Sequence, residues 1–257
     1  MWKKLRIAIL LFILILVGAD TYLTKYRAVS WDEPLWVAIY PINNTHDPQI
    51  DGYISSLSNR NFQAIERFFE REAEEQGLRL GNPFKVMLAH SVDEIPPPPP
   101  GEGSNVFAVA WWSLKLRYWA FSHDSSDFSP HIKIFVIYHP YAMDTELAHS
   151  LGMEKGMIGV VHAYAHRETE GKNNLVIAHE MLHTIGATDK YDLQTGEPIY
   201  PDGFAEPDRS PRYPQRYTEL MGGRTPISDS ESIMPRSLWG AKLGQKTVEE
   251  INWAVGH

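Results

Sequence analysis

The 257-residue chain contains no cysteine. Disulfide frameworks, thiolate zinc sites, iron–sulfur clusters and cysteine nucleophiles are thereby excluded, so any metal must be held by histidine and carboxylate. Basic charge is also scarce. Lys and Arg number 24 against 32 Asp and Glu, and with Lys3, Lys4 and Arg6 set aside the balance of the rest is −11. Phosphate backbones are bound by clustered Lys and Arg, so this composition argues against a nucleic-acid partner. Glycine and proline, 18 of each, are at ordinary usage, which removes collagen-like and wholly disordered classes. There is no internal repeat. What is plentiful is apolar surface: 43% hydrophobic and 12% aromatic residues can build a core without metal or disulfide staples.

The N-terminus bears on location. Lys3, Lys4 and Arg6 precede Ile7 to Ala19, about 13 residues without a charge, which is the basic and apolar order of an export signal. Small residues at Val17-Gly18-Ala19 suit cleavage before Asp20, whereas Tyr22, Leu23 and Tyr26 could extend a short membrane anchor; the run alone falls below the roughly 20 residues that span a bilayer. Residues 1–30 are therefore expected to be a signal anchor or signal peptide with a short linker, and 31–257 one extracytoplasmic domain, membrane-anchored or secreted. The acidic remainder shows no basic amphipathic stretch that would bind lipid by itself.

From Trp31 onward the pattern is of mixed type. Leu35 to Ile42 reads as a strand that Pro41 should end, and Pro83 to His90 as a second. Leu57, Ile65, Phe69 and Ala73 recur at helical spacing and predict one helix from Ser55 to Gln76, stopped by Gly77. Pro96 to Pro100 reads as an extended spacer loop. Val106 to Trp119, His131 to Tyr138 and Gly156 to His166 are expected as strands, and Thr247 to Val255 as a C-terminal helix.

The chemistry lies in Asn173 to Asp192. Asn173 or Asn174 can cap a helix whose apolar members run from Leu175 to Ile185, and Gly186 can end it in a left-handed turn. His179 and His183 are four residues apart, so both imidazoles leave the same face and can share one metal. Glu180 sits beside them without being a ligand, able to reach a water on that metal. Because Gly186 permits a sharp turn, Asp189 can fold back as third ligand, leaving an open fourth position as a catalytic zinc requires.

The pattern H-E-x-x-H-x-x-G-x-x-D resembles the metzincin metalloproteases and, among them, is most similar to the snapalysins, whose third ligand is Asp where most of the group use His. Tyr191, two residues past Asp189, and Glu219-Leu220-Met221-Gly222-Gly223, which looks like a Met-turn, extend the likeness to about fifty residues. The resemblance implies an α+β, metzincin-like fold: a twisted mixed sheet with a long backing helix, an active-site helix and a C-terminal helix. It also implies one catalytic Zn2+ on His179, His183 and Asp189, Glu180 as proton carrier, Tyr191 as oxyanion donor or packing residue, and Met221 beneath the metal. The expected activity is hydrolysis of a polypeptide by a water that the zinc acidifies and Glu180 deprotonates, in a monomer. Related proteases are thought to bind substrate along a strand edge, here expected of an antiparallel strand ending near His162. The proline- and glycine-rich stretch from Tyr191 to Tyr217 departs from a minimal member of the group.

Other readings of the same residues remain. Asp189 can cap a turn beside Lys190, and Met234 competes with Met221. A different zinc hydrolase would take a later carboxylate, Glu206 or Glu219, as third ligand; a non-catalytic module would use zinc only to staple a peptide-binding fold. His139, His149, His162, His166 and Trp111-Trp112 are read as structural.

Overall fold

The computed structural model describes Arg6 and residues 30–101, 103–141, 150–154 and 156–253. The N-terminal apolar run and His149 lie outside the described residues, and among those described no helix is long and apolar enough to cross a membrane. The architecture is α+β with one five-stranded mixed sheet in the order β2-β1-β3-β5-β4. The strands are β1 (Leu35–Asn43), β2 (Phe84–Leu88), β3 (Ile132–His139), β4 (Leu151–Met153) and β5 (Ile158–Tyr164). Strands β2, β1, β3 and β5 run parallel, whereas β4 is antiparallel to β5 and ends the sheet. The strand near His162 is thus an interior parallel strand rather than the expected antiparallel edge, and β4 takes that place. Its three residues carry too little pattern to be seen in sequence.

Parallel strands are covered on both faces and read as continuous apolar runs, as Leu35 to Ile42 does. Alternation then divides the core. Val37 and Ile39 face one side with Ile134 and Val136 of β3; Ala38, Tyr40 and Ile42 face the other with Phe135 and Ile137. Three helices cover the first face: α1 (Pro48–Ser56), α2 (Gln63–Glu75) and α4 (Glu170–Thr184); α3 (Val106–Ser122) covers the second. Among the described residues, every buried core residue falls between Trp31 and Trp253.

Several expectations are corrected. Pro41 does not end β1. Its carbonyl faces the β2 side, accepting Val92 N–H at 3.0 Å, and β2 has already stopped at Leu88, so the missing N–H interrupts no ladder. The single helix over Ser55 to Gln76 is two helices broken at Leu57 to Phe62, where Ser58 N–H donates to Asn61 Oδ1. Ser and Asn side chains there compete for backbone groups that a continuous helix would use.

Val106 to Trp119 is α3, a helix rather than a strand. Asn105 Oδ1 caps it by accepting Ala108 N–H at 2.9 Å, and aromatic content hid the helical period because both its faces are apolar. The C-terminal helix α5 (Gln245–Glu250) is shorter than expected; Trp253 beyond it is fully buried against Trp31, with ring centroids 5.3 Å apart. Residues 254–257 lie outside the described residues.

Candidate metal centre

Helix α4 begins at Glu170, three residues before the expected caps. Asn173 and Asn174 sit inside its first turns and fasten it instead: their side-chain amides donate to Tyr164 O at 2.9 Å and Asn61 O at 2.7 Å. The helix lies so close to β4 that a Cβ on Gly152 would stand 2.4 Å from His183 Cβ and 2.5 Å from Glu180 O. Only glycine fits there. The helix ends at Thr184, and Gly186, with φ +106°, turns the chain back.

That turn brings Asp189 to the two histidines. Asp189 Oδ1 lies 3.1 Å from His179 Nε2 and 3.1 Å from His183 Nε2, and the two Nε2 atoms are 3.1 Å apart. The other ring nitrogens are committed: His179 Nδ1 faces Leu220 O at 2.9 Å and His183 Nδ1 faces Ala187 O at 2.8 Å. A carbonyl only accepts, so each Nδ1 carries a proton, and a ring holding only that proton turns its Nε2 lone pair inward. Three lone-pair atoms within van der Waals contact repel unless a cation lies among them. Ligands about 2.0–2.1 Å from a tetrahedral zinc stand about 3.3 Å apart, close to the spacing seen. These three residues, and no other such group among those described, can hold a metal ion.

The surrounding charge fits that reading. Burial opposes a charge on His179, yet Asp189, Glu180 and the Leu220 carbonyl together raise its pKa. Burial would also raise Asp189, but when a proton rather than a metal lies between them, hydrogen bonds and charge from both histidines hold it far below the usual carboxylate range. The centre favours positive charge. Glu180, 5% exposed, is pushed upward chiefly by burial, opposed by the two histidines. Its Oε2 has no hydrogen-bond partner among the described residues. A buried carboxylate oxygen left unpaired is costly, and it is where an incoming proton donor would be received. Tyr191 is at the centre too: burial first, then the charges of Asp189 and Glu180 and a hydrogen bond to Asp189, push its hydroxyl up to about 12.

Met221 is fully buried in a one-turn helix, Leu220–Gly222, that supplies the carbonyl orienting His179; its own carbonyl accepts Lys190 N–H at 2.9 Å. Met234 is 41% exposed on the cleft wall, so Met221 is the methionine whose turn supports His179. Glu219 and Glu206 are occupied elsewhere. Glu219 is buried and accepts from Gly222 N, Gly244 N and Thr247 Oγ1, bracing that turn, while Glu206 pairs with Arg216. Lys190, the alternative neighbour of Asp189, is buried against Glu250 at 2.7 Å.

A cleft of about 510 Å³ opens beside the centre, lined by Glu180, Tyr191, Ser150, His162, Lys172 and Arg224 among others. Sequence reasoning missed Lys172, two turns ahead of His179 on the same helix, and Ser150 and Arg224, which adjoin the motif only in space. His162 does reach the cleft wall, but its Nδ1 is bonded to His139 Nε2 at 2.9 Å, and burial lowers the pKa of both rings. His166 stacks on Tyr141 at 4.7 Å, and Trp112 Nε1–H donates to Pro97 O. The Tyr191 to Tyr217 stretch is packed in: Gly203 lies against Gly222, where a Cβ on the latter would meet Gly203 O at 2.5 Å, and Gly196 reaches the cleft. No protein-family model matches the chain, and no curated protein matches it either.

Proposed function

We propose that the chain is a zinc-dependent metalloendopeptidase of metzincin-like fold, with His179, His183 and Asp189 as ligands. The observation that carries the reading is the trio of inward lone pairs 3.1 Å apart beside the unpaired, buried Oε2 of Glu180. A purely structural zinc site closes its fourth position and has no use for such a carboxylate. Bound there, zinc would acidify a water and polarise a carbonyl.

The chain's own residues supply the rest. Glu180 takes the proton of the attacking water and delivers it to the leaving amine, and its burial, which raises its proton affinity, suits both halves of that transfer. Tyr191, protonated at neutral pH, offers a hydroxyl to the oxyanion. An extended substrate adds to the open side of β4, whose middle residue Gly152 lies against the site helix. In the same reading the domain works outside the cytoplasm, tethered or released at its N-terminus.

Glu180→Gln tests this. The purified variant should retain about one zinc per chain by elemental analysis while turnover of a peptide library falls by several orders of magnitude. Near wild-type cleavage by the variant would refute the mechanism, and absence of zinc in the wild type would refute the centre.

A further inference from the structure

Among the described residues, none packs against the outer face of helix α3. Of 15 strongly exposed large apolar side chains among the described residues, seven are on this one helix. Phe107, Trp111, Leu114, Tyr118 and Phe121 recur at steps of four and three and are 54% to 85% exposed, forming one continuous stripe. The opposite side holds Leu116, Ala120, Trp112 and Trp119 against the sheet. An aromatic stripe of this length on a water-facing helix marks an interaction surface.

We propose that this stripe docks on a phospholipid surface bearing anionic headgroups, with α3 lying in the plane of the interface. Three observations choose that partner. First, at 100° per residue the exposed Lys115 and the half-buried Arg117, whose stem lies over Gly156, fall about 80° to either side of the stripe, where their charges can reach phosphates. Second, α3 has no carboxylate in its 17 residues although the chain is acidic overall, so it is a local cationic exception. Third, ten residues separate Ala19 from Ser30, so an apolar run seated in a bilayer would keep the domain within about 40 Å of it.

A second copy of the chain fits less well. Two stripes pressed together would align flanking cations with cations, because the helix offers no acid to pair them. Read as a strand, Val106 to Trp119 shows no stripe; as a helix it presents an exposed aromatic one flanked by Lys115 and Arg117. Docking would leave the cleft clear, since α4 and the metal centre lie on the other face of the sheet. The proposal does not depend on peptidase activity.

The test uses the full chain and the chain from Ser30, which carries every core residue among those described, in flotation with vesicles of phosphatidylcholine alone or with phosphatidylglycerol added. Binding should favour the anionic vesicles, and brominated lipid should quench tryptophan fluorescence. Phe107→Ser/Trp111→Ser/Tyr118→Ser/Phe121→Ser should lower binding by more than about 100-fold with an unchanged thermal melt, because these side chains are exposed. Lys115→Gln/Arg117→Gln should lower it about tenfold on anionic vesicles only. No binding to either vesicle, or binding that ignores both variants, overturns the proposal. A concentration-dependent dimer that the serine variant abolishes also overturns it, and assigns the stripe to a second copy.

Discussion

Helices α3 and α4 pack on opposite faces of one sheet and teach opposite lessons. In α4 the polar residues are the buried ones: His179 and Glu180 are 9% and 5% exposed, and their neighbours Ile177, Ala178, Met181 and Leu182 are in the core. In α3 the apolar residues are the exposed ones, with Trp111 and Phe121 facing water. Each helix thus breaks the rule of apolar inside and polar outside, which is where function is to be sought. Buried polarity in α4 gains from a cation; exposed apolarity in α3 gains from a partner surface.

The sharpest way to break the comparison is to remove the third ligand. Asp189→Ala should weaken zinc affinity by orders of magnitude in chelator competition, with little effect on the melt of the metal-free protein, whereas Asp189→His should keep the metal. Glu219→Ala should do the reverse, losing about 3 kcal/mol of stability because three donors lose their buried acceptor. If Glu219→Ala strips the metal and Asp189→Ala spares it, the ligand set is wrong.

Packing sharpens the contrast next. Leu182→Ala in α4 and Leu116→Ala on the inner side of α3 should each cost about 2–5 kcal/mol in urea melts, while Phe107→Ser on the outer side should stay within about 0.5 kcal/mol. A large loss from Phe107→Ser in the monomer would mean that the outer stripe is covered by protein after all. Gly152→Ala should destabilise by about 1–3 kcal/mol and depress turnover together, since the methyl would push α4 and its ligands away from β4; Gly101→Ala, with open space around it, is the control.

The smallest effect is electrostatic and lies beyond the end of α3. Burial would raise Asp124, but hydrogen bonds from Lys133, Ser126 and Tyr40 hold it at about 2. Its folded pKa is therefore below its unfolded one, so its contribution is present above about pH 4 and is lost as pH falls towards 2. Discounted for partial exposure, this is about 1 kcal/mol. Wild type should lose that increment between those pH values relative to Asp124→Asn; identical pH profiles would show that the ion pair with Lys133 contributes nothing.

What could be read without a structure follows from range. His179, Glu180, His183, Gly186 and Asp189 fall within eleven residues, and helical spacing plus one glycine turn suffices to bring them together. The four parallel strands were legible as apolar runs, though not their pairing. The segment 106–122 was misread because its apolar residues lie all round the helix: one side meets the sheet and the other meets none of the described residues, so no period stands out. The start of α4 was misplaced because its asparagines bond to Tyr164 and Asn61, one of them more than a hundred residues away.

The sequence by itself determined the spacing of the two histidines and the aspartate that could hold a metal, the position of the turn that closes it and the absence of thiolate chemistry, all matters of residue type and local backbone geometry. Tertiary structure alone decided that β4 is the antiparallel edge, that Gly152 must be bare for the site helix to approach, and that Glu219 braces a turn instead of binding metal. It also decided that α3 shows its aromatic side to the outside. These depend on which surfaces meet across long stretches of chain, and no local pattern encodes a meeting between residues so far apart.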